Sequence, residues 1–233
     1  MRPLRIDTSF HKASSHSPTS PSSLFSVDVS SAERNAPPIP GLYFNPTVHL
    51  PKEVSDLTVD HCMNTYFQSP EINQIMLFGQ SGIIGPLNDL LGVIADVLRP
   101  VIPHDVHELL FPVTPTRVRQ AILNLYRPGE GITPHVDLLN RFADGIVGVS
   151  LQGGCVMRFA QESQSASHDL YLPPRSLIVL TEDARYDWTH EIPPRVEDWV
   201  KEGEDDSVCI PRDVRLSVTF RWLLAGAEIV GED

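Results

Sequence analysis

The sequence has few cysteines and no long apolar run, and each shortage argues against a class of protein. Its 3 cysteines are an odd number without CxxC spacing, so neither a disulfide framework nor a zinc knuckle is favoured, and a reducing compartment is expected. No apolar run approaches the roughly 20 residues of a membrane helix, and no signal-peptide core follows the start methionine. We therefore expect a protein of the cytoplasm, the nucleus or both, without a membrane span.

Positive charge is also scarce. Lysine and arginine total 18 against 30 aspartates and glutamates, which gives a formal net charge of −12. Such a balance opposes broad electrostatic binding of a polynucleotide. A nucleic-acid partner would have to bind a local basic patch.

The chain is long enough for one domain. Residues 1–40 are rich in serine and proline and cannot bury enough apolar surface to offset their ordering entropy, so they are predicted to be a disordered leader. Arg2 and Arg5 give this leader a faint resemblance to a mitochondrial transit peptide, which Asp7 interrupts. The rest of the 233-residue sequence, from position 41 to its end, has the composition of one globular domain.

Two halves can be distinguished within that domain. Residues 41–116 contain two segments with helical spacing of apolar residues, each opened or ended by proline. Residues 117–225 contain a series of strand patterns with no room for crossover helices between them. The order predicts an α+β protein whose core is a jelly roll or a similar barrel. Segment 195–213 holds seven acidic and three basic residues and is predicted to be a solvated insertion loop.

A candidate metal site begins in the stretch ITPHVDLLN. On an extended strand, His135 and Asp137 point to the same face. His190 follows another predicted strand, and two histidines with one carboxylate are the facial triad of non-haem Fe(II) oxygenases. His-x-Asp alone also fits an ordinary surface pair, and a lone histidine is more often structural than a ligand.

The last strand, RLSVTFRWLL, alternates polar and apolar residues. One interpretation is a half-exposed strand whose polar face meets water. In the other, the polar face lies inside the barrel, where buried Arg215 and Arg221 need an anion. They lie ~20 Å apart along an ideal strand, so their side chains can converge on opposite ends of a dicarboxylate.

Three stretches, NLYRPGEGITPHVD, RYDWTH and RLSVTFR, together resemble the AlkB family of Fe(II)- and 2-oxoglutarate-dependent dioxygenases. The shared order is Asn-x-Tyr-x-x-Gly, His-x-Asp, a distal histidine and two arginines six apart. The resemblance covers residues 41–224. LPPRSLIVLTEDARYDWTHEIPPR is most similar to the oxygenase domain of the family member that hydroxylates modified wobble uridine in tRNA.

The resemblance implies a double-stranded β-helix, a jelly-roll or cupin-like core, with N-terminal helices and a substrate-side lid from residues 41–116. Fe(II) would be held by His135, Asp137 and His190, with 2-oxoglutarate as co-substrate and O2 as oxidant.

Five further residues are implied to bind 2-oxoglutarate. Arg215 and the Tyr126 hydroxyl would bind its C5 carboxylate, while Asn124 and Arg221 would contact its C1 end. Ser217 stands where many family members have asparagine, and its hydroxyl can still donate to a carboxylate.

The implied reaction is hydroxylation or oxidative dealkylation of a modified nucleobase by a monomeric enzyme. In family members that repair methylated adenine or cytosine, the residue two beyond the iron aspartate is acidic. Here that residue is Leu139, which cannot hydrogen-bond an exocyclic amine. We therefore expect an RNA substrate, above all a tRNA uridine in an unpaired loop.

Other functions remain open from the sequence. They are a protein-directed AlkB-like oxygenase, a direct demethylase of alkylated DNA or RNA, a non-catalytic binding module that holds no iron, and a cupin-like enzyme without 2-oxoglutarate. The last leaves the paired arginines unexplained.

Overall fold

Two antiparallel β-sheets enclose the centre of the protein in the structure, a computed structural model that describes residues 31–79, 83 and 85–227. The larger sheet has the order β1 (Leu42–His49), β8 (Ser176–Leu180), β5 (Phe142–Gln152), β12 (Arg215–Leu223), β3 (Arg119–Tyr126) and β2 (Gln74–Phe78). The smaller sheet has the order β4 (Ile132–His135), β9 (Thr189–Ile192), β6 (Cys155–Gln161) and β7 (Ala166–Leu172). The predicted jelly-roll type of core is confirmed.

Four α-helices and one short 3-10 helix (Glu162–Gln164) accompany the sheets among the described residues. The helices are α1 (Lys52–Thr65), α2 (Pro86–Leu98), α3 (His104–Leu110) and α4 (Glu182–Tyr186). Pro51 precedes α1 and Pro86 opens α2, as expected of a residue that lacks an N–H and has a preset φ. None of these helices has the length and apolar character needed to cross a bilayer.

The first three helices pack on the outer face of the larger sheet. The apolar side of α2, with Leu90 and Ile94 fully buried, shares a core with Leu123, Val147 and other sheet residues. The helices therefore cover the sheet on the side opposite the inner cleft, and the lid predicted for residues 41–116 stays a prediction. The apolar side of these helices is buried against the apolar outer face of the sheet.

Strand β12 lies in the middle of the larger sheet, paired with β3 on one side and β5 on the other. Leu216, Val218 and Phe220 on its outer face belong to the core beneath the helices. Arg215 is only 5% exposed, so the strand is not half-exposed to water. The polar face of β12 therefore points into the barrel, as the second interpretation required.

The end of the predicted disordered leader is part of the fold. Ala32 pairs with Val200 and Glu33 with Leu170, and the side chains of Ala32 and Ile39 are buried. Backbone hydrogen bonds to two strands order this segment despite its polar composition, so the leader boundary at residue 40 was wrong. Residues 1–30 lie outside the described part of the chain.

Segment 195–213 is also not the solvated loop expected from its charge. It forms a hairpin of β10 (Glu197–Lys201) and β11 (Ser207–Pro211). Asp198 is buried at its base and accepts two hydrogen bonds from the Arg212 guanidinium, at 2.7 and 2.8 Å. The exposed acidic cluster lies at the tip of the hairpin. The net charge of the segment therefore gave no indication of the buried ion pair between Asp198 and Arg212.

Candidate active site

A cleft between the two sheets holds the polar residues of the inner strand faces. Its cavity volume is about 80 Å³, well below the roughly 300–1,000 Å³ of a drug-sized ligand site, so it suits a small co-substrate rather than a whole nucleoside. All eight residues singled out in the sequence line it: Asn124, Tyr126, His135, Asp137, His190, Arg215, Ser217 and Arg221. The roles assigned to them stay predictions.

The two histidines come together because β4 pairs antiparallel with β9. His135 lies directly opposite His190, and their ring centroids are 4.3 Å apart. His135 Nδ1 is 2.8 Å from the carbonyl oxygen of Thr133, which can only accept, so Nδ1 carries the proton. Its Nε2 lone pair is then available to a metal.

His190 is held in the neutral form. Burial lowers its pKa from 6.5 to about 4, since a charged imidazolium is poorly solvated there, and the nearby His135 acts in the same direction. A neutral imidazole is the form that coordinates a metal. The ring needs to lose no proton before binding a cation at neutral pH.

Asp137 follows β4 and is ionised although it is buried. Burial, the largest single influence, acts to raise its pKa, but Arg221, the two histidines and Arg185 together outweigh burial, so the pKa lies below its ordinary value. Arg221 Nη1 contacts Oδ1 of this carboxylate. In the described part of the chain, no three His, Cys, Asp or Glu side chains stand preassembled as a metal-binding group. The contact with Arg221 leaves Oδ2 as a second carboxylate oxygen that a metal can use.

Arg221 is itself held on two sides. Its Nε donates to Gln120 Oε1 at 2.7 Å, and its guanidinium carbon lies 3.6 Å from the centroid of the Phe142 ring. Gln120 was missed in the sequence because it stands alone in an apolar strand. The register of β3 against β12, which pairs Gln120 with Arg221, reveals it.

Arg215 occupies the other end of the cleft with unused hydrogen-bonding capacity. Its Nη2 donates to Ser150 Oγ at 3.0 Å, while Nε and Nη1 are buried without a partner among the described residues. Buried donors of a charged group rarely stay unpaired, so this site fits a bound anion. Ser150, on the neighbouring strand β5, was also missed in the sequence.

Tyr126 stands beside this arginine. The guanidinium carbon of Arg215 is 5.7 Å from the centroid of the Tyr126 ring. Burial raises the pKa of the Tyr126 phenol above its ordinary value of 10.0, so the hydroxyl keeps its proton at neutral pH. It is therefore a donor that can complement an anion on Arg215.

Polar groups continue along the cleft from Arg215. Ser217 lies opposite Asn124 on one side and Ser150 on the other. Asn124 Oδ1 accepts a hydrogen bond of 2.8 Å from Gln74 Nε2 on edge strand β2. Gln74 is a third residue that the sequence did not reveal, because its strand was identified by apolar residues alone.

The donor set fits a transition metal and a dicarboxylate together. Two imidazoles and one carboxylate match the ligand types of a 2-His-1-carboxylate Fe(II) site. The unpartnered N–H groups of Arg215, next to a protonated tyrosine, match a carboxylate at the far end of the cleft.

A profile of the family described as "2OG-Fe(II) oxygenase superfamily" matches residues 80–221, which is more than half of the chain. Among solved structures, the crystal structure of a Pseudomonas putida prolyl-4-hydroxylase superimposes with a TM-score of 0.52. The match has 15% sequence identity and covers 78% of this chain and 92% of that one. At that identity the likeness concerns the fold.

Curated relatives match over a shorter stretch. An uncharacterised protein of Acanthamoeba polyphaga mimivirus is 43% identical over 103 residues, which are 44% of this chain and 47% of that protein. The mouse (Mus musculus) protein named "tRNA (carboxymethyluridine(34)-5-O)-methyltransferase ALKBH8" is 37% identical over 113 residues, 44% of this chain and 17% of that protein. The matches thus span less than half the length of these relatives.

Proposed function

Because the chain belongs to the 2OG-Fe(II) oxygenase superfamily, whose chemistry uses Fe(II), 2-oxoglutarate and O2, we propose that its inner cleft is the site of that oxidation. Iron would be held by His135, Asp137 and His190, and Arg215 would bind the co-substrate. The observation that carries this proposal is the pair of buried, unpartnered N–H groups of Arg215 at the far end of the cleft.

The protein's own residues bind and orient the reactants. When bound, iron and 2-oxoglutarate supply the oxidising chemistry, in which one atom of O2 enters a substrate C–H bond and the other enters succinate as CO2 is released. Arg215 binds the distal carboxylate of 2-oxoglutarate through its planar fork, and the Tyr126 hydroxyl donates to the same group. Asn124 and Arg221 lie toward the metal end and contact the other carboxylate.

We propose a modified nucleobase in RNA, most specifically a tRNA uridine, as the substrate. The 37% identity to a mouse protein named as a tRNA methyltransferase supports this proposal, although the match covers 17% of that relative. The turn after Asp137 adds a second support. Leu138 and Leu139 are 42% and 56% exposed there, so they present an apolar surface without a partner for an exocyclic amine.

The product follows from the position of the oxidised carbon. A hydroxyl on a carbon attached to nitrogen collapses to an aldehyde and the dealkylated base, whereas a hydroxyl on a side-chain carbon stays as an alcohol. The cavity is small, so the base has to enter from the mouth in an unstacked conformation, which an unpaired loop offers at little cost. We place this activity in the cytoplasm or the nucleus, in keeping with the free cysteines.

A test combines the purified protein with Fe(II), ascorbate and 2-oxoglutarate. Anticodon-loop RNA with modified uridine and 1-methyladenine oligonucleotides are offered in parallel, with His135→Ala as the blank. We expect succinate production with the wild-type protein and an oxidised uridine in the anticodon loop. Fast formaldehyde release from the methyladenine oligonucleotide, with an unchanged anticodon loop, would instead establish direct alkylation repair.

A protein substrate is the second candidate, and the net charge of −12 favours it because like charge opposes phosphate. In this case succinate production rises with a protein fraction of a cell extract and not with RNA. Mass spectrometry of that fraction would show a hydroxylated or demethylated side chain.

A further inference from the structure

Arg185 is a fully buried arginine that the sequence analysis did not single out. It is 2% exposed and lies in α4, only a few residues before His190. Nη1 donates to the carbonyl oxygen of Asp137 at 3.0 Å, and Nη2 donates to that of Phe142 at 3.1 Å. Nε points to the carbonyl oxygen of Ala143 at 3.4 Å.

These acceptors lie at the two ends of one turn, at Asp137 after β4 and at the first two residues of β5. The turn is closed by hydrogen bonds from the amides of Arg141 and Phe142 to the Leu138 carbonyl. None of the ion pairs found among the described residues includes Arg185. A buried guanidinium is costly unless its donors are used, and here backbone carbonyl groups of the turn use them.

Arg185 thereby joins the two chain segments that carry metal ligands in the proposed function. Its own backbone is held in α4 by the hydrogen bond from its amide to the Thr181 carbonyl, and α4 leads into β9 and His190. Its side chain reaches the first and last residues of the turn that starts at Asp137. The direction in which the Asp137 carboxylate points depends on the backbone of that turn.

We propose that Arg185 is a positioning residue that sets the Asp137 carboxylate relative to His190, and with it the affinity for the metal. This inference rests on the proposed function. Arginine is required because its rigid fork reaches several carbonyl groups at once, whereas a lysine ammonium is a compact group on a flexible stem. Arg185→Lys would leave buried carbonyl groups of the turn without donors.

Two readouts test the proposal, and one of them needs no metal. Hydrogen–deuterium exchange of the metal-free protein follows the amides of Arg141 and Phe142, and calorimetric titration measures the affinity for Mn(II). We expect Arg185→Lys to exchange faster at these amides and to bind Mn(II) about 10- to 100-fold more weakly, as is typical when a partner of a metal ligand is lost.

Arg119→Lys is the matched control. Arg119 is partly buried and also donates to a backbone carbonyl, Leu110 at 2.5 Å, but it stacks on Trp222 next to the segment that follows α3. Its replacement should lower the stability of the metal-free protein while leaving Mn(II) affinity and the exchange of Arg141 and Phe142 unchanged.

The outcomes separate this inference from the proposed function. If wild-type protein binds neither Mn(II) nor Fe(II), the proposed metal site fails, while the exchange comparison still tests Arg185. If Arg185→Lys keeps wild-type exchange and wild-type Mn(II) affinity, the positioning role is refuted. If Arg185→Lys does not fold, Arg185→Gln is measured in the same way. Failure of both to fold, with Arg119→Lys folding normally, would assign Arg185 to core stability alone and overturn the proposal.

Discussion

His135 and His190 face each other across two paired strands, with ring centroids 4.3 Å apart, although 54 residues lie between them in the chain. The pairing of β4 with β9 brings them together. One ring donates to the Thr133 carbonyl and the other is kept neutral by burial. Both imidazoles are therefore ready to act as ligands.

His135→Ala should abolish metal binding and succinate production while leaving the fold intact, since this side chain is only partly buried. Mn(II) titration and circular dichroism measure the two effects. His168→Ala is the control, because His168 lies on β7 at the opposite edge of the same sheet, with its ring centroid 5.6 Å from that of Trp188. Wild-type succinate production by His135→Ala would show that the metal is bound elsewhere.

The stability of the metal-free protein should fall as pH falls from 6.5 toward 4, because of His190. Burial lowers the pKa of this imidazole from 6.5 to about 4, so within this window the unfolded chain binds the proton and the folded protein does not. The free energy of unfolding therefore decreases by up to ~3 kcal/mol on acidification, and above pH 6.5 the effect is absent.

Urea unfolding at pH 7 and pH 4.5 checks this pH dependence. His190→Gln lacks the titrating group and should lose clearly less stability between the two pH values than the wild-type protein. Equal losses in the two proteins would mean that other groups, such as buried carboxylates, dominate the acid response.

Arg215→Lys should raise the KM for 2-oxoglutarate by about 10- to 100-fold, the amount expected when one or two hydrogen bonds to a charged group are lost. Binding of Mn(II) should stay unchanged, because Arg215 lies at the far end of the cleft. Arg158→Lys is the control, because Arg158 donates two hydrogen bonds to Asp169, outside the cleft. An unaltered KM in Arg215→Lys would refute the anion site.

Leu139→Ala should lower kcat/KM for the nucleic-acid substrate by about tenfold, because the exposed leucine supplies apolar contact to the base. The KM for 2-oxoglutarate should not change, since Leu139 is exposed whereas Arg215 and Tyr126, the proposed co-substrate ligands, are buried. Exposed Leu57 on α1, remote from the turn, provides the control in Leu57→Ala. If both leucine variants behave alike, the turn does not contact the substrate.

Asp198→Ala should destabilise the protein by about 3–5 kcal/mol, because it leaves the Arg212 guanidinium buried and unpaired. The Val156 amide also loses its carboxylate acceptor. Chemical denaturation measures the loss, and the KM for 2-oxoglutarate at low temperature should match the wild type. A loss below 1 kcal/mol would indicate that the hairpin relaxes to hydrate Arg212.

Much of the site could be predicted from sequence because its chemistry is carried by short ordered motifs. The AlkB resemblance is confirmed at the level of the oxygenase family. Of the two interpretations of the alternation along RLSVTFRWLL, the structure has the one in which the polar face lies inside the barrel. Every extended strand has a two-residue period, so the alternation predicts the two faces of the strand but not which of them is buried.

Other features depend on contacts between distant segments and have no local signature. The ordering of residues 31–40 comes from pairing with strands near residues 170 and 200. The Asp198–Arg212 ion pair lies within a charge-rich stretch whose average composition indicated solvent. Gln74, Ser150 and Arg185 gain their roles only from register and packing, so composition could not reveal them.

The placement of β12 has a consequence for how such an enzyme can change. One face of this strand forms the centre of the core, and the opposite face carries polar residues that line the cleft. Insertion or deletion of a single residue would exchange the two faces, burying charge in the core and turning apolar side chains into the cleft. New co-substrate preferences can therefore arise here by substitution but not by a change of length, whereas the turn after Asp137 can vary in length as well as in residues.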